Sequence, residues 1–181
     1  MKRVFAVVVV AALAALAIWI VATRQQPATP PDADPGIPAV DNGIPAPADA
    51  QEMTVIDITD GDTLRLRDAG GGTENVRLIG IDTPEVYPVY ECFGDEAEAE
   101  LLRLAPVGST LLVDPDVDPF DDYDRLLLYL WNDDGTFINL ALVEGGFAEA
   151  IRVAPNDLYF DDLRTAEDAA ARANLGMWGS C

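Results

Sequence analysis

MTVIDITDGDTLRLR, Met53 to Arg67, is the stretch on which the fold turns. Met53 to Ile58 alternates and is rich in β-branched residues, Asp60-Gly61 is a turn signal, and Thr63 to Arg67 resumes a strand. Outward from this hairpin, Asp68 to Thr73 carries three consecutive glycines and predicts a second turn, and Asn75 to Ile81 a third strand. Asp95 to Leu104 predicts a helix, with Gly94 and Asp95 at its start and Glu96, Glu98 and Glu100 near the positive end of its dipole. Thr110 to Val113 and Leu126 to Trp131 read as strands four and five. Asn139 to Glu144 reads as a short helix, and Phe160 to Ala173 as a longer one closed by Gly176. Strands first and helices after them predict a small meander barrel with helices packed on it.

The chain has 181 residues, with 32 acidic against 11 basic side chains and no histidine. The missing histidine removes Ser-His-Asp hydrolases, His-based zinc sites and His-based nucleases. Acid–base work falls to carboxylates, tyrosines or metal-bound water. Lys2 and Arg3 precede an apolar run from Val4 to Ala22, and Arg24 follows it. Residues 1–23 therefore read as an export signal or an uncleaved membrane anchor, the run being just long enough to span a bilayer. The positive start keeps the N-terminus cytoplasmic and puts the remainder outside, in an extracellular or cell-surface location. A buried helix is the competing reading, and the terminal position argues against it. Residues 24–50 are a Pro/Ala/Asp-rich linker. Residues 51–181 form the folded domain, where 28 acidic residues face eight cations, every one an arginine. Such acidity reads first as a solubility surface and argues against broad coating of nucleic acid. Arginine, in turn, suits bidentate phosphate contacts.

Three segments carry chemistry: Asp60-Gly61-Asp62-Thr63, Arg77-Leu78-Ile79-Gly80-Ile81-Asp82-Thr83-Pro84-Glu85, and Tyr123-Asp124-Arg125-Leu126-Leu127. Taken singly, Asp-Gly is a generic hairpin signal and any one arginine is a solvated strand edge. Together they read differently. Asp62 and Asp82 lie at strand edges that hairpin pairing brings together, and hard cations such as calcium take carboxylate and carbonyl oxygens. Pro84 pushes Thr83 toward an extended backbone, Glu85 lies within reach of a metal-bound water, and Arg77 and Arg125 can clamp a phosphate. An ideal strand would hold Arg77 and Asp82 about 16 Å apart on opposite faces. The pairing must therefore break, and Gly80 is where it is expected to do so.

In this order the segments resemble the thermonuclease family, the staphylococcal-nuclease-like domains. The resemblance extends over nearly all of 51–181, through Asn139-x-x-Leu142-Val143-x-x-Gly146 to Gly176-Met177-Trp178. It implies an OB-fold five-stranded barrel with three helices, and calcium-dependent cleavage of DNA and RNA to 3′-phosphate ends. Carried over by residue, Asp62, Asp82 and the Thr83 carbonyl would bind Ca2+, with Asp60 behind them. Glu85 would activate water, and Arg77 and Arg125 would neutralise charge growing on the phosphoryl oxygens. Tyr123 would contact a nucleotide. The chain departs from the family at Asp124, where glycine is usual, at Asp122, where a basic residue is usual, and at Ile151 and Val153, where nucleotide-flanking tyrosines are usual. Weak substrate grip with a strong calcium requirement is expected.

The aspartates at 114, 116, 118, 121, 122 and 124 superficially suggest a calcium loop. They lack the glycine at position six and the glutamate at position twelve, so a solvated loop is the reading preferred. Cys92 and Cys181 in an exported chain read as one disulfide rather than two thiols. Two further functions compete with a monomeric nuclease: a non-catalytic OB-fold module binding nucleic acid or protein, and an acidic extracellular cation-binding domain. The intact set Asp62, Asp82, Glu85, Arg77 and Arg125 favours the enzyme.

Overall fold

The computed structural model describes residues 43–181. The predicted leader (1–23) and most of the predicted linker lie outside the described residues. Where the linker enters the description it is already attached to the domain: Ile44 and Ala46 pack against the core, and Trp131 Nε1 donates to the Ile44 carbonyl at 2.8 Å.

Five strands close a barrel: β1 (Gln51–Ile58), β2 (Thr63–Arg67), β3 (Thr73–Leu78), β5 (Thr110–Asp114) and β6 (Leu126–Trp131). A two-residue strand, β4 (Ile81–Asp82), pairs with β7 (Glu149–Ala150) beside it. The helices are α1 (Gly94–Leu104), α2 (Ile138–Glu144), α3 (Phe160–Ala173) and a single C-terminal turn, α4 (Met177–Ser180). This is the expected OB-type barrel with three principal helices. It is not a simple meander, however. β1, β2 and β3 run as antiparallel neighbours, but β3 then pairs in parallel with β6, and β5 closes the circle against β1.

Alternation sends Val55, Leu64, Leu66, Val76, Leu78, Leu111, Val113, Leu128 and Leu130 inward, all buried. Tyr129 and Trp131 take the opposite face of β6, where Phe137 and Tyr159 cover them. The Trp131 and Phe137 rings stack at 4.7 Å, and Tyr129 and Tyr159 meet edge to face at 4.7 Å. The predicted helix start at Gly94 is correct, but no side chain caps it: Phe93 takes the cap position with φ 75°. Cys92 and Cys181 form the expected disulfide, with their Cα atoms 6.0 Å apart across 89 residues of chain.

The ladder breaks where expected. β3 stops at Leu78, Gly80 adopts φ +79°, and β4 starts at Ile81. The turn is fixed from both sides, since buried Asn139 donates through Nδ2 to the Ile79 carbonyl at 2.9 Å and Ile151 N–H donates to the Gly80 carbonyl at 2.9 Å. A Cβ at Gly80 would also lie 2.6 Å from Leu163 Cδ1. Gly80→Ala is therefore expected to cost about 2–4 kcal/mol, from left-handed backbone strain and overpacking together. Urea unfolding would check this, and an unchanged midpoint would mean that the break does not depend on glycine.

Candidate active site

The break at Gly80 is what assembles the site. Because the chain turns between β3 and β4, Arg77 and Asp82 meet instead of pointing apart: Arg77 Nη2 lies 2.6 Å from Asp82 Oδ1. The same guanidinium reaches across to the β1–β2 connection, where Nη1 lies 2.5 Å from Asp62 Oδ2. One cationic plane thus spans both aspartates. Nη1 is buried against Asp62, and the side chain as a whole is 14% exposed.

Asp62 is the floor of the site. Its Oδ2 accepts from the Thr83 backbone N–H at 2.9 Å and from Thr83 Oγ1 at 3.0 Å, and its Oδ1 accepts from Thr63 Oγ1 at 3.1 Å. Asp60 Oδ1 accepts from the Asp62 N–H at 3.1 Å and so shapes the loop behind it. The loop fits only because residue 61 is glycine. A Cβ there would lie 2.8 Å from both Ala97 Cβ on α1 and Thr83 Oγ1. Gly61 thus does more than make a hairpin turn: it lets α1 and the Asp62 loop close on Thr83. Burial, with Asp60 adding to it, raises the Asp62 carboxyl to about 6 against the pull of Arg77 and of the Thr83 donors.

Asp82 is half exposed on its short strand. Glu85 is exposed, three residues further on, and its carboxyl is raised by partial burial and by the negative charge of Asp60 and Asp82. Its backbone N–H donates to Glu91 Oε2 at 3.0 Å, and the Glu91 N–H returns a bond to the Glu85 carbonyl at 2.8 Å.

Arg125 enters from the start of β6, next to Arg77 because Arg77 is in parallel register with Leu127. Asp121 holds it, through Oδ2 to Nε at 2.7 Å and Oδ1 to the backbone N–H at 2.9 Å. From there Nη1 reaches Thr63 Oγ1 at 3.5 Å, one hydroxyl away from Asp62. Tyr123 is exposed, with its ring 5.7 Å from the Arg125 guanidinium carbon. A cleft of about 270 Å³ opens beside the two arginines, walled by Ile79, Leu127, Ile151 and Val153 and edged by Asp121 and Asp122.

The structure therefore brings together Asp60, Asp62, Arg77, Asp82, Thr83, Glu85 and Arg125, and sets Tyr123 at the rim. Thr63, Asp121 and Glu91 were given no role from sequence, yet they orient Asp62, Arg125 and the Glu85 backbone. Asp121 lies four residues before Arg125 and Thr63 closes the Asp60–Thr63 segment; Glu91 carried no signal. The acidic run between 114 and 124 is used locally. Asp116 Oδ2 accepts from Tyr129 Oη and the Leu158 N–H, and Asp121 serves Arg125. Among the described residues no three carboxylates converge to hold a metal by themselves. Asp62 and Asp82 offer carboxylate oxygens, the donor type a hard divalent cation takes, and in this structure the Arg77 guanidinium lies between them.

Comparison with known proteins agrees with this geometry. The family model described as staphylococcal nuclease homologue matches residues 75–180. A thermonuclease of Staphylococcus intermedius is 34% identical over 125 residues, covering 67% of this chain and 72% of its own length. A thermonuclease of Staphylococcus hyicus is 31% identical over 137 residues, covering 74% and 79%. Endonuclease YhcR of Bacillus subtilis (strain 168) is 30% identical over 147 residues, and this chain spans only 12% of its length. With the barrel, the spanned aspartates and these matches in agreement, the chain belongs to the staphylococcal nuclease family.

Proposed function

We propose that this chain is a calcium-dependent nuclease that hydrolyses DNA and RNA backbones to 3′-phosphate products, acting as a monomer outside the cytoplasm. The observation that carries the reading is the Arg77 guanidinium bridging Asp62 and Asp82 while Arg125 approaches the same floor. Asp62, Asp82 and the Thr83 carbonyl would hold the calcium ion, which would supply positive charge to the phosphoryl oxygens. Glu85, its carboxyl raised, takes a proton from the attacking water. The water oxygen bonds to phosphorus, and the bond from phosphorus to the 5′-oxygen breaks, the departing 5′-oxygen taking a proton from solvent water to become a hydroxyl. Arg77 and Arg125 donate to the non-bridging oxygens as their charge grows, the interaction with most leverage on the barrier. The disulfide agrees with an exported protein. Cleavage of a single-stranded oligonucleotide with and without calcium, followed by analysis of the new ends, tests the proposal. No cleavage at any calcium concentration would overturn it.

The raised Asp62 carboxyl adds a pH dependence. Its folded value of about 6 exceeds the ordinary 3.8, so its contribution to folding is fully present below 3.8 and lost as pH rises through 6. Calcium takes the ionised form, so affinity is expected to fall about tenfold from pH 7 to pH 5. Calorimetric titration at the two pH values checks this, and equal affinities would remove Asp62 from the ligand set.

A further inference from the structure

Resting on that reading, we propose that the Cys92–Cys181 disulfide is a positioning brace for Glu85, so that reducing it lowers turnover while the fold stays in place. Glu85 stands on a connection, residues 83–93, that has no helix or strand of its own. Its backbone is held by Glu91: the Glu85 N–H donates to Oε2 at 3.0 Å, and the Glu91 N–H donates to the Glu85 carbonyl at 2.8 Å. Both residues are exposed, so water competes for these bonds and they fix the loop only weakly by themselves. Gly94 N–H donates to the Glu91 carbonyl at 3.2 Å, and a Cβ at Gly94 would lie 2.9 Å from the Glu85 carbonyl oxygen. The start of α1 is thus seated on the Glu85 backbone, and Cys92 lies between the two contacts.

What Cys92 is tied to decides its role. Cys181 follows α4, where its N–H donates to the Met177 carbonyl at 3.0 Å and Met177 N–H donates to the Gly146 carbonyl at 2.9 Å. Gly146 is packed backbone to backbone against the start of α4, since a Cβ on it would lie 2.7 Å from the Leu175 carbonyl carbon. It lies just past the end of α2, the helix whose Asn139 holds the Ile79 carbonyl beside the Gly80 break. The disulfide therefore joins the Glu85 loop to a path of packed backbone that ends at the turn placing Asp82 beside Arg77. Phe93 meets Phe147 at 5.5 Å along the same seam, so opening the bond loosens the loop without releasing α1. Cys92 and Cys181 are both exposed, within reach of a dithiol. In the reduction the S–S bond breaks, the dithiol gives up two electrons and two protons, each cysteine becomes a thiol, and the dithiol closes to a cyclic disulfide.

The test compares the intact calcium-loaded chain with the double variant Cys92→Ala/Cys181→Ala, each with and without dithiothreitol, below both unfolding midpoints. Opening the bond by either route is expected to lower kcat about tenfold and leave KM and calcium affinity unchanged, because a misplaced base is felt in the chemical step. Re-oxidation should restore the wild type, and the reductant should not touch the variant. In a Glu85→Gln background, opening the bond should cost nothing further, since its effect runs through that carboxylate. A full additional loss in that background, a loss carried by KM, an unchanged kcat, or an equal effect of the reductant on the variant would each overturn the brace. Amide hydrogen exchange reads the same loop without turnover. Reduction should speed exchange of the Glu91 and Gly94 amides about tenfold, while the buried Leu130 N–H, bonded to Asn139 Oδ1 at 3.0 Å, stays protected. Equal Glu91 exchange with the bond open and closed would overturn the brace even in an inactive protein. A chain that never cleaves, yet whose Glu91 amide is freed by reduction, would overturn the nuclease reading alone.

Discussion

Arg77→Ala is expected to lose activity by about 10²–10³-fold or more and, unlike the other site changes, to destabilise the domain. The activity loss follows from removing a charged donor aimed at the phosphoryl oxygens. The stability loss follows from burial. Arg77 and Asp62 are 14% and 7% exposed in their side chains, so deleting the guanidinium strands a carboxylate that has been taken out of water. Breaking a buried pair from one side costs about 3–5 kcal/mol. Asp62 would partly escape by taking up a proton, so the penalty should be smaller at pH 5 than at pH 7. Bound calcium would compensate for the missing charge, and the destabilisation should be largest with the metal chelated. Unfolding midpoints at the two pH values, with and without calcium, check all three statements. Arg125→Ala is the control: this side chain is 31% exposed and paired with Asp121, so activity should fall while stability hardly moves. A stable and active Arg77→Ala protein would remove the central element of the proposed site.

Glu85→Gln is expected to reduce kcat by about 10²–10⁴-fold, the range of a lost general base, with folding and calcium affinity unchanged. Glutamine retains the shape and keeps the backbone bonds to Glu91, but it cannot accept a proton. The pH profile is the more informative readout. The Glu85 carboxyl is raised by burial and by Asp60 and Asp82, so wild-type kcat should fall with decreasing pH as that group protonates. In Glu85→Gln the acidic limb should disappear from whatever rate remains. Near-normal turnover in this variant would assign water activation elsewhere.

Much of this was legible in the sequence, for reasons that differ by element. β1, β2 and β6 were readable because inward and outward residues alternate or are uniformly apolar over a whole strand, and their observed bounds fall within two residues of those expected. The kink at Gly80 was readable from a contradiction: Arg77 and Asp82 cannot share a site on a straight strand, and glycine is the residue that tolerates φ +79°. The parallel pairing of β3 with β6 was not readable, since nothing in Thr73–Leu78 specifies which distant strand it joins. The orienting groups were the least visible. Thr63, Asp121 and Glu91 look like ordinary strand or loop polars, and their roles exist only once Asp62, Arg125 and Glu85 are in place around them. The aspartates at 116 and 121 illustrate the converse: a run that looked like an ion loop is consumed by a tyrosine hydroxyl, backbone amides and an arginine.

The β3–β6 pairing also sets when in its own lifetime the protein becomes dangerous to nucleic acid. Arg77 and Arg125 are 48 residues apart in sequence and become neighbours only through a strand pairing that must wait for β5 and β6 to be made and folded back. No shorter piece of the polypeptide holds both guanidiniums side by side. A chain in which β6 has not yet docked on β3 is in this sense latent, because the two arginines of the proposed site are still apart.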